Sequence, residues 1–323
     1  MPEPEGMDTT AAEKTRIVLP GGAGLVGQNL VVRLKARGYR HITVLDKHES
    51  NLASLAALHP DVIAEHVDLS QPGSWQQHIR DADVLIMLQA QIGGLNPQDF
   101  ENNNVSATRL ILDAIDRDRP PYLVHISSSV VESVADDFYS RSKRAQEQLV
   151  LASGLACPVL RPTLMFGWFD RKHFGWLSRF MKRVPVFPVP GLGHYSRQPL
   201  YVGDFCDIIL SCVESRRAAG VYNISGQEHL DYVEMIREIR SVTGAHSMIV
   251  HIPYFLFHFL LRVWSWFDGD PPFTTQQLEA LVADDDFEVI DWPTIFQVQA
   301  TPFTQALDET FNHPAYSKVI LEF

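Results

Sequence analysis

Tyr139 and Lys143 stand four positions apart, the spacing that puts two side chains on one face of a helix. Together they could move a proton. A phenol ionises near pH ~10 and is a poor base at neutrality, but an adjacent ammonium favours the phenolate. A downward shift of about 3 units needs roughly 4 kcal/mol of differential stabilisation, which a close lysine, the charge of an oxidised nicotinamide and a helix N-terminus could jointly supply in a dry site. Taken alone, the spacing equally describes a solvated helix face. What lies upstream changes the odds: a serine run, Ser127, Ser128 and Ser129, and before it a glycine-rich turn. The three marks together imply hydride transfer to or from a nicotinamide.

The turn needs a strand to feed it and a helix to receive it. Residues 16–19 form an apolar run that reads as a buried strand, 20–27 as the turn and 28–37 as the helix. Gly21, Gly24 and Gly27 are spaced G-x-x-G-x-x-G. Such glycines let the chain turn sharply, bring backbone N–H groups, here including those of Leu25 and Val26, close to a pyrophosphate, and pack helix on strand. A second strand over 41–46 ends in Asp46, 19 positions after Gly27. A carboxylate there accepts hydrogen bonds from ribose hydroxyls and repels a 2′-phosphate, favouring NAD over NADP. Lys47 beside it is the one feature that points the other way.

Further strands are predicted over 61–67, 83–88, 122–126 and 158–161, and helices over 97–117 and 139–153. This alternation predicts an α/β chain, a Rossmann-type doubly wound parallel sheet covered on both faces. Beyond Pro162 the pattern loosens through Pro185, Pro188, Pro190, Gly191 and Gly193, with helices over 204–216 and 232–243. Three parts are expected: a disordered tail over 1–15, a nucleotide-binding domain over 16–162, and a smaller mixed α/β substrate-binding lobe over 163–323, some of whose segments return to the sheet.

Composition removes several function classes. A chain of 323 residues, 46% hydrophobic, can bury a substantial core. Its net charge of −12 argues against a nucleic-acid surface. Arg171, Lys172, Arg179, Lys182, Arg183 and Arg197 are a local basic group that suits either an anionic ligand or a solvated helix face. Three cysteines without a C-x-x-C pair point to a reducing compartment, with neither a disulfide framework nor a zinc site. The thirteen histidines show no ligand spacing, so no structural metal is expected. The polar, acidic first fifteen residues lack the apolar core of a signal peptide, and a cytoplasmic location is expected. The aromatic stretch 254–267 is too short to span a bilayer. It reads first as a buried or subunit-facing helix, with peripheral membrane contact or a wall of an apolar substrate pocket as the other readings.

From about Arg16 to Ser225 the chain resembles the extended short-chain dehydrogenase/reductase family, in particular its NAD-dependent epimerase/dehydratase branch. Besides the glycine turn and Asp46, Asp68-Leu69 is similar to the family's adenine-contacting Asp-Leu. Leu88 with Gln89, Ala90 and Gln91 takes the place of its cofactor-lining Leu-Ala-Ala, and Asn104 to Thr108 resembles its Asn-Val-x-Gly-Thr helix, whose Asn supports the active site. The resemblance implies that Ser128, after Ser127, is the catalytic Ser/Thr that holds the substrate oxygen against Tyr139, and that Lys143 binds the nicotinamide ribose and tunes the phenol. Pro162 and Thr163 fall in the stretch that approaches the nicotinamide. Ser129, Arg171 and Arg197 are the implied substrate contacts, Arg197 lying in a signature whose arginine meets a nucleotide diphosphate.

The departures narrow this. Nucleotide-sugar dehydratases follow the catalytic Thr with an Asp-Glu acid/base pair, and here Ser129 and Val130 stand there, which disfavours a 4,6-dehydratase. Eleven positions separate Ser128 from Tyr139, fewer than is usual in sugar epimerases, and Glu132, Asp136 and Asp137 make that loop acidic, which speaks against a diphosphate-bearing substrate. Pro20 replaces the usual threonine before the turn. The first expectation is an NAD-dependent epimerase or oxidoreductase acting on a secondary alcohol of a nucleotide-linked sugar, as a homodimer through the helices 97–117 and 139–153. The second is a hydroxysteroid or lipid-alcohol dehydrogenase of the same family. The third is a non-catalytic dinucleotide-binding scaffold, because residues 271–278 and Thr301-Pro302-Phe303 look similar to relatives of the complex I accessory subunit.

Overall fold

The structure, a computed structural model, describes residues 9–134, 136–264, 278 and 288–322. Its centre is a seven-stranded sheet whose paired strands all run parallel. The strands are β1 (Arg16–Pro20), β2 (His41–Asp46), β3 (Ile63–His66), β4 (Val84–Met87), β5 (Tyr122–Ile126), β6 (Pro158–Pro162) and a last strand, Gly220–Ile224. From one edge, Gly220–Ile224, the order runs β6, β5, β4, β1, β2, β3. This is the doubly wound Rossmann arrangement, in which ligands bind beyond the carboxyl ends of the strands where the order reverses. Here that is beyond β1 and β4.

Helices α1 (Thr9–Lys14), α2 (Leu25–Ala36), α3 (Glu49–Leu58), α4 (Gln76–Asp81), α5 (Pro97–Phe100), α6 (Ala107–Ala114) and α7 (Phe138–Ala152) complete this half. The inner strands β1, β2, β4, β5 and β6 are buried over most of their length on both faces, which explains why they read as apolar runs, whereas the edge strands β3 and Gly220–Ile224 are more open. One face takes Ile17, Leu19, Ile86, Val124 and Leu160 against Leu30, Val31 and Leu34 of α2; the other takes Val18, Leu85, Leu123 and Val159 against Trp75, Ile79, Ile111 and Val150.

The lobe is built from short strand pairs, Val186–Pro190 with Met248–Ile252 and Ser196–Arg197 with Leu230–Asp231, and from helices Phe174–Arg183, Tyr232–Thr243 and Phe303–Asn312. Helix Val202–Ser215 goes back to the sheet, placing Phe205, Cys206 and Ile209 in the same core as Leu30 and Leu34. Asp204, at its start, accepts from the backbone N–H and hydroxyl of Thr301 at 2.9 and 2.6 Å. Burial raises its pKa to about 6, against the opposing effect of those two bonds.

Three expectations change. Of the tail, residues 9–14 form α1, with Ala12 buried in the main core. The helix expected over 97–117 is broken into α5, a π-helical turn Glu101–Ser106 and α6; the wider turn carries Asn104, which is fully buried. Helix Tyr254–Trp264 is not buried, Phe255 being 75% and Phe259 59% exposed, which removes the buried reading and leaves the subunit-facing one untouched; residues 265–267 of the stretch lie outside the described residues. No helix among the described residues is long and apolar enough to cross a membrane. Of the 271–278 similarity, all but Leu278 lies outside the described residues.

Candidate active site

The glycine turn is shaped by close backbone approach. Gly21 has φ +75°, and a Cβ there would lie 2.3 Å from the Cα of Gln89; at Gly27 it would lie 2.2 Å from the carbonyl oxygen of Gly22. Neither position admits a side chain. Gly24 differs, since its nearest neighbour would be 3.7 Å away. It is the N-cap of α2 and supplies no side-chain cap to the first-turn N–H groups, an arrangement suited to an anion. Asp46 ends β2 beside this turn, and its carboxylate accepts the Ala23 N–H at 3.0 Å and the His48 N–H at 3.0 Å. A turn open at Gly24, an uncapped helix start and a carboxylate held at the end of β2 fit a dinucleotide.

After β4 the chain passes through Gln89, Ala90 and Gln91. Asn104 locks this segment, accepting the Gln91 N–H at 2.6 Å and donating to the Gln91 carbonyl at 3.2 Å and to Ser142 Oγ on α7 at 2.8 Å. Gln89 is buried, and its amide donates to Thr108 Oγ1 at 3.0 Å.

At the end of β5 the two serines have different work. Ser127 turns inward and donates to Glu147 at 2.5 Å. Ser128, with extended backbone, accepts a long 3.4 Å bond from the Val130 N–H. Burial raises the pKa of the Tyr139 phenol; the neighbouring Ser128 hydroxyl opposes the rise and Asp137 adds to it. Lys143 lies four positions further along α7. Its ammonium is buried against β5, donating to the Ile126 carbonyl at 3.0 Å and to Gln146 Oε1. Burial lowers its pKa to about 7, with Glu147 working the other way. An ammonium has three donors, and these two contacts take two of them.

The loop from Ser128 to Tyr139 also reads differently in three dimensions. Glu132 is paired with Arg161 at 2.5 Å and accepts from Asn223 at 3.1 Å; Asp136 pairs with Arg141 at 3.2 Å; Asp137 caps α7 by accepting the Ser140 N–H at 2.8 Å. All three carboxylates have structural partners, which weakens the electrostatic objection to a diphosphate drawn from the loop's composition.

A family model described as "NAD dependent epimerase/dehydratase family" matches residues 17–225. The chain belongs to that family. Among curated relatives, a dTDP-glucose 4,6-dehydratase of Streptomyces niveus is 29% identical over 74% of this chain and 81% of its own length. A mitochondrial NADH dehydrogenase [ubiquinone] 1 alpha subcomplex subunit 9 of Dictyostelium discoideum is 25% identical over 71% of this chain and 64% of its own length. Among solved structures, UDP-glucuronic acid 4-epimerase from Bacillus cereus in complex with NAD superposes with a TM-score of 0.66 at 19% identity, covering 93% of this chain and 96% of that one. The family is one of NAD-dependent epimerases and dehydratases, and the Rossmann architecture agrees with its solved members.

Set against the family pattern, Gly21, Gly24, Gly27, Asp46, Gln89, Gln91, Asn104, Ser127, Ser128, Tyr139 and Lys143 are drawn to the carboxyl ends of the central strands. Leu69 is buried, whereas Asp68 is exposed and bonds back to Ser70 at 2.9 and 2.7 Å. Pro162 and Thr163 are buried where β6 ends, the Thr163 N–H bonded to Ile224. Ser129 and Val130 open the 3-10 turn Ser129–Glu132. Arg171 is exposed and Arg197 half-buried on strand Ser196–Arg197.

The sequence reading missed the residues beneath the site. Glu147, 4% exposed, takes Arg161 at 3.0 and 2.5 Å. Burial would raise its pKa, but the bonds from Arg161 and Ser127 prevail and hold it below the usual carboxylate value. His125 is fully buried, its ring nitrogens lack hydrogen-bond partners, and burial followed by the nearby Lys143 pushes its pKa well down, so it is neutral. Gln146 and Thr108 complete the group. One signal was available: Glu147 continues the Tyr139, Lys143 spacing by another four positions.

Proposed function

We propose that this chain oxidises or epimerises a secondary alcohol carried by a nucleotide-linked sugar, with NAD as the preferred dinucleotide. The observation that carries the reading is the nearness of Ser128 to Tyr139 beyond the end of β5, where the serine hydroxyl acts to lower the phenol pKa, beside a turn whose steric demands at Gly21 and Gly27 and open position at Gly24 suit a pyrophosphate. The dinucleotide would lie on the α2 N-terminus, with Asp46 toward its adenosine ribose and Lys143 toward its nicotinamide ribose, and it supplies the hydride acceptor. Tyr139 takes the proton from the substrate hydroxyl, and Ser128 holds the same oxygen in place. The raised pKa of Tyr139 keeps the phenol protonated at rest, ready to donate in the reductive direction, and oxidation requires a positive charge near it. Re-reduction from the opposite face inverts the carbon, while release of the ketone gives net oxidation.

The dehydratase name of one relative does not transfer, because Ser129 and Val130 stand in the places of the acid/base pair. The scaffold reading has support in the resemblance to the Dictyostelium subunit, yet a scaffold does not require a serine beside a tyrosine at the end of β5 with a lysine one helical turn on. The lipid-alcohol reading finds support in the apolar side chains exposed on nearby loops, Ile92, Leu95 and Val134.

A panel of UDP-sugars and sterols assayed with NAD and with NADP tests the proposal. Turnover of a UDP-sugar is expected; turnover of sterols alone would move the substrate to the second reading, and failure to bind either dinucleotide would end both. In the same assay Asp46→Ala is expected to weaken NAD more than NADP, and equal weakening would contradict the cofactor preference.

A further inference from the structure

The seat of Lys143 is a closed set of polar groups. The ammonium, 1% exposed, meets the Ile126 carbonyl at the end of β5 and the amide oxygen of Gln146. Gln146 is itself fully buried, and its amide nitrogen donates to the Gln89 carbonyl at 3.2 Å and to Thr108 Oγ1 at 3.0 Å. Those two partners decide which way the amide points. A carbonyl only accepts, so a turned-over Gln146 would set its oxygen against the Gln89 oxygen and its N–H groups against the ammonium. Gln89 in turn abuts Gly21 of the dinucleotide turn. A chain of contacts therefore runs from the glycine turn through Gln89 and Gln146 to Lys143.

We propose that Gln146 is a positioning residue for Lys143, its amide oxygen seating the ammonium and setting the pH up to which the site keeps that positive charge. The value of the cation to the reaction rests on the reading above; the seat does not. The charged and titratable groups acting with Lys143 are Glu147 on its own helix and the neutral His125 on β5, with Arg161 on β6 standing behind Glu147, and Tyr139 precedes it by one turn on α7. Burial is the dominant influence and disfavours the charged form, so an acceptor held on the ammonium counts for more here than in water. The sign follows. Removing the acceptor lowers the lysine pKa and the cation is lost at lower pH; replacing it with a carboxylate raises the pKa and the cation persists to higher pH.

The test is a pH titration by NMR of protein carrying 13C at lysine Cε, the Lys143 resonance being assigned by its loss in Lys143→Arg. The wild-type midpoint is expected near 7. Gln146→Met, similar in size but without the acceptor, should raise the acid dissociation constant about tenfold, and Gln146→Glu should lower it about tenfold. One midpoint shared by all three proteins would overturn the proposal. If Gln146→Met fails to fold, an unmoved midpoint in Gln146→Glu overturns it alone. NAD binding, followed by fluorescence on the same samples, separates the two readings. Shifted midpoints without NAD binding in the wild type would contradict the proposed function and keep the seat, whereas NAD binding with an unmoved midpoint would contradict the seat.

Discussion

The turn between β1 and α2 and the seam between β5 and α7 serve one cleft by different physics. The turn is fixed by sterics, since Gly21 and Gly27 bring backbone against backbone at separations that exclude a Cβ. The seam is fixed by buried charge: Lys143, Glu147 and Arg161 are held by Ile126, Gln146 and Ser127, with a neutral His125 beneath. The turn's glycines lie within seven positions of one another, with Gln89 and Asp46 as their distant neighbours, whereas the seam draws partners from β5, α6, α7, β6 and the segment after β4. A sterically determined site is written in residue type, and an electrostatic one depends on partners far along the chain.

The sharpest way to break this contrast is at the seam. Arg161→Leu leaves Glu147 buried without its cation and is expected to cost about 3–5 kcal/mol of stability, the range for breaking a buried pair. Native Glu147 has a lowered pKa, so its contribution is present above the unfolded-state pKa and is lost as pH falls through the folded one. Without Arg161, burial is opposed only by the Ser127 bond and the Lys143 charge and that pKa should rise, so the deficit should be largest at neutral pH and shrink toward acid. Urea midpoints at about pH 7.5 and about pH 5 check this; a deficit independent of pH would mean that packing, not charge, holds the seam. The turn should respond differently. Gly27→Ala forces a Cβ to 2.2 Å from a carbonyl oxygen and is expected to cost about 1–3 kcal/mol with little pH dependence. Gly24→Ala, with 3.7 Å of clearance, should stay within about 1 kcal/mol in the same denaturation experiment. Equal losses at the two glycines would refute the steric account.

The same distinction explains what could be read from sequence. The strands, the glycine turn, Asp46 and the Tyr139–Lys143 face were legible, because apolar runs, glycine spacing and helical period are local signals. The break of the 97–117 helix was not, since the π turn that brings Asn104 to Gln91 and Ser142 is set by partners across the cleft. The acidic loop before Tyr139 misled for a similar reason: Glu132, Asp136 and Asp137 look like a repulsive patch until Arg161, Arg141 and the start of α7 are placed beside them. Lys143 was correctly placed on a face with Tyr139, yet its ammonium points to Gln146, a residue that no spacing rule had marked.

Transfer of the substrate proton through Tyr139 is the central claim, and Tyr139→Phe tests it most directly. The variant retains the ring and lacks only the hydroxyl that neighbours Ser128. With NAD and whichever sugar nucleotide the wild type turns over, the account predicts unchanged NAD affinity and a fall in kcat of about 100-fold to 10,000-fold, the usual contribution of a positioned acid/base. Turnover at the wild-type rate with NAD still bound would contradict it.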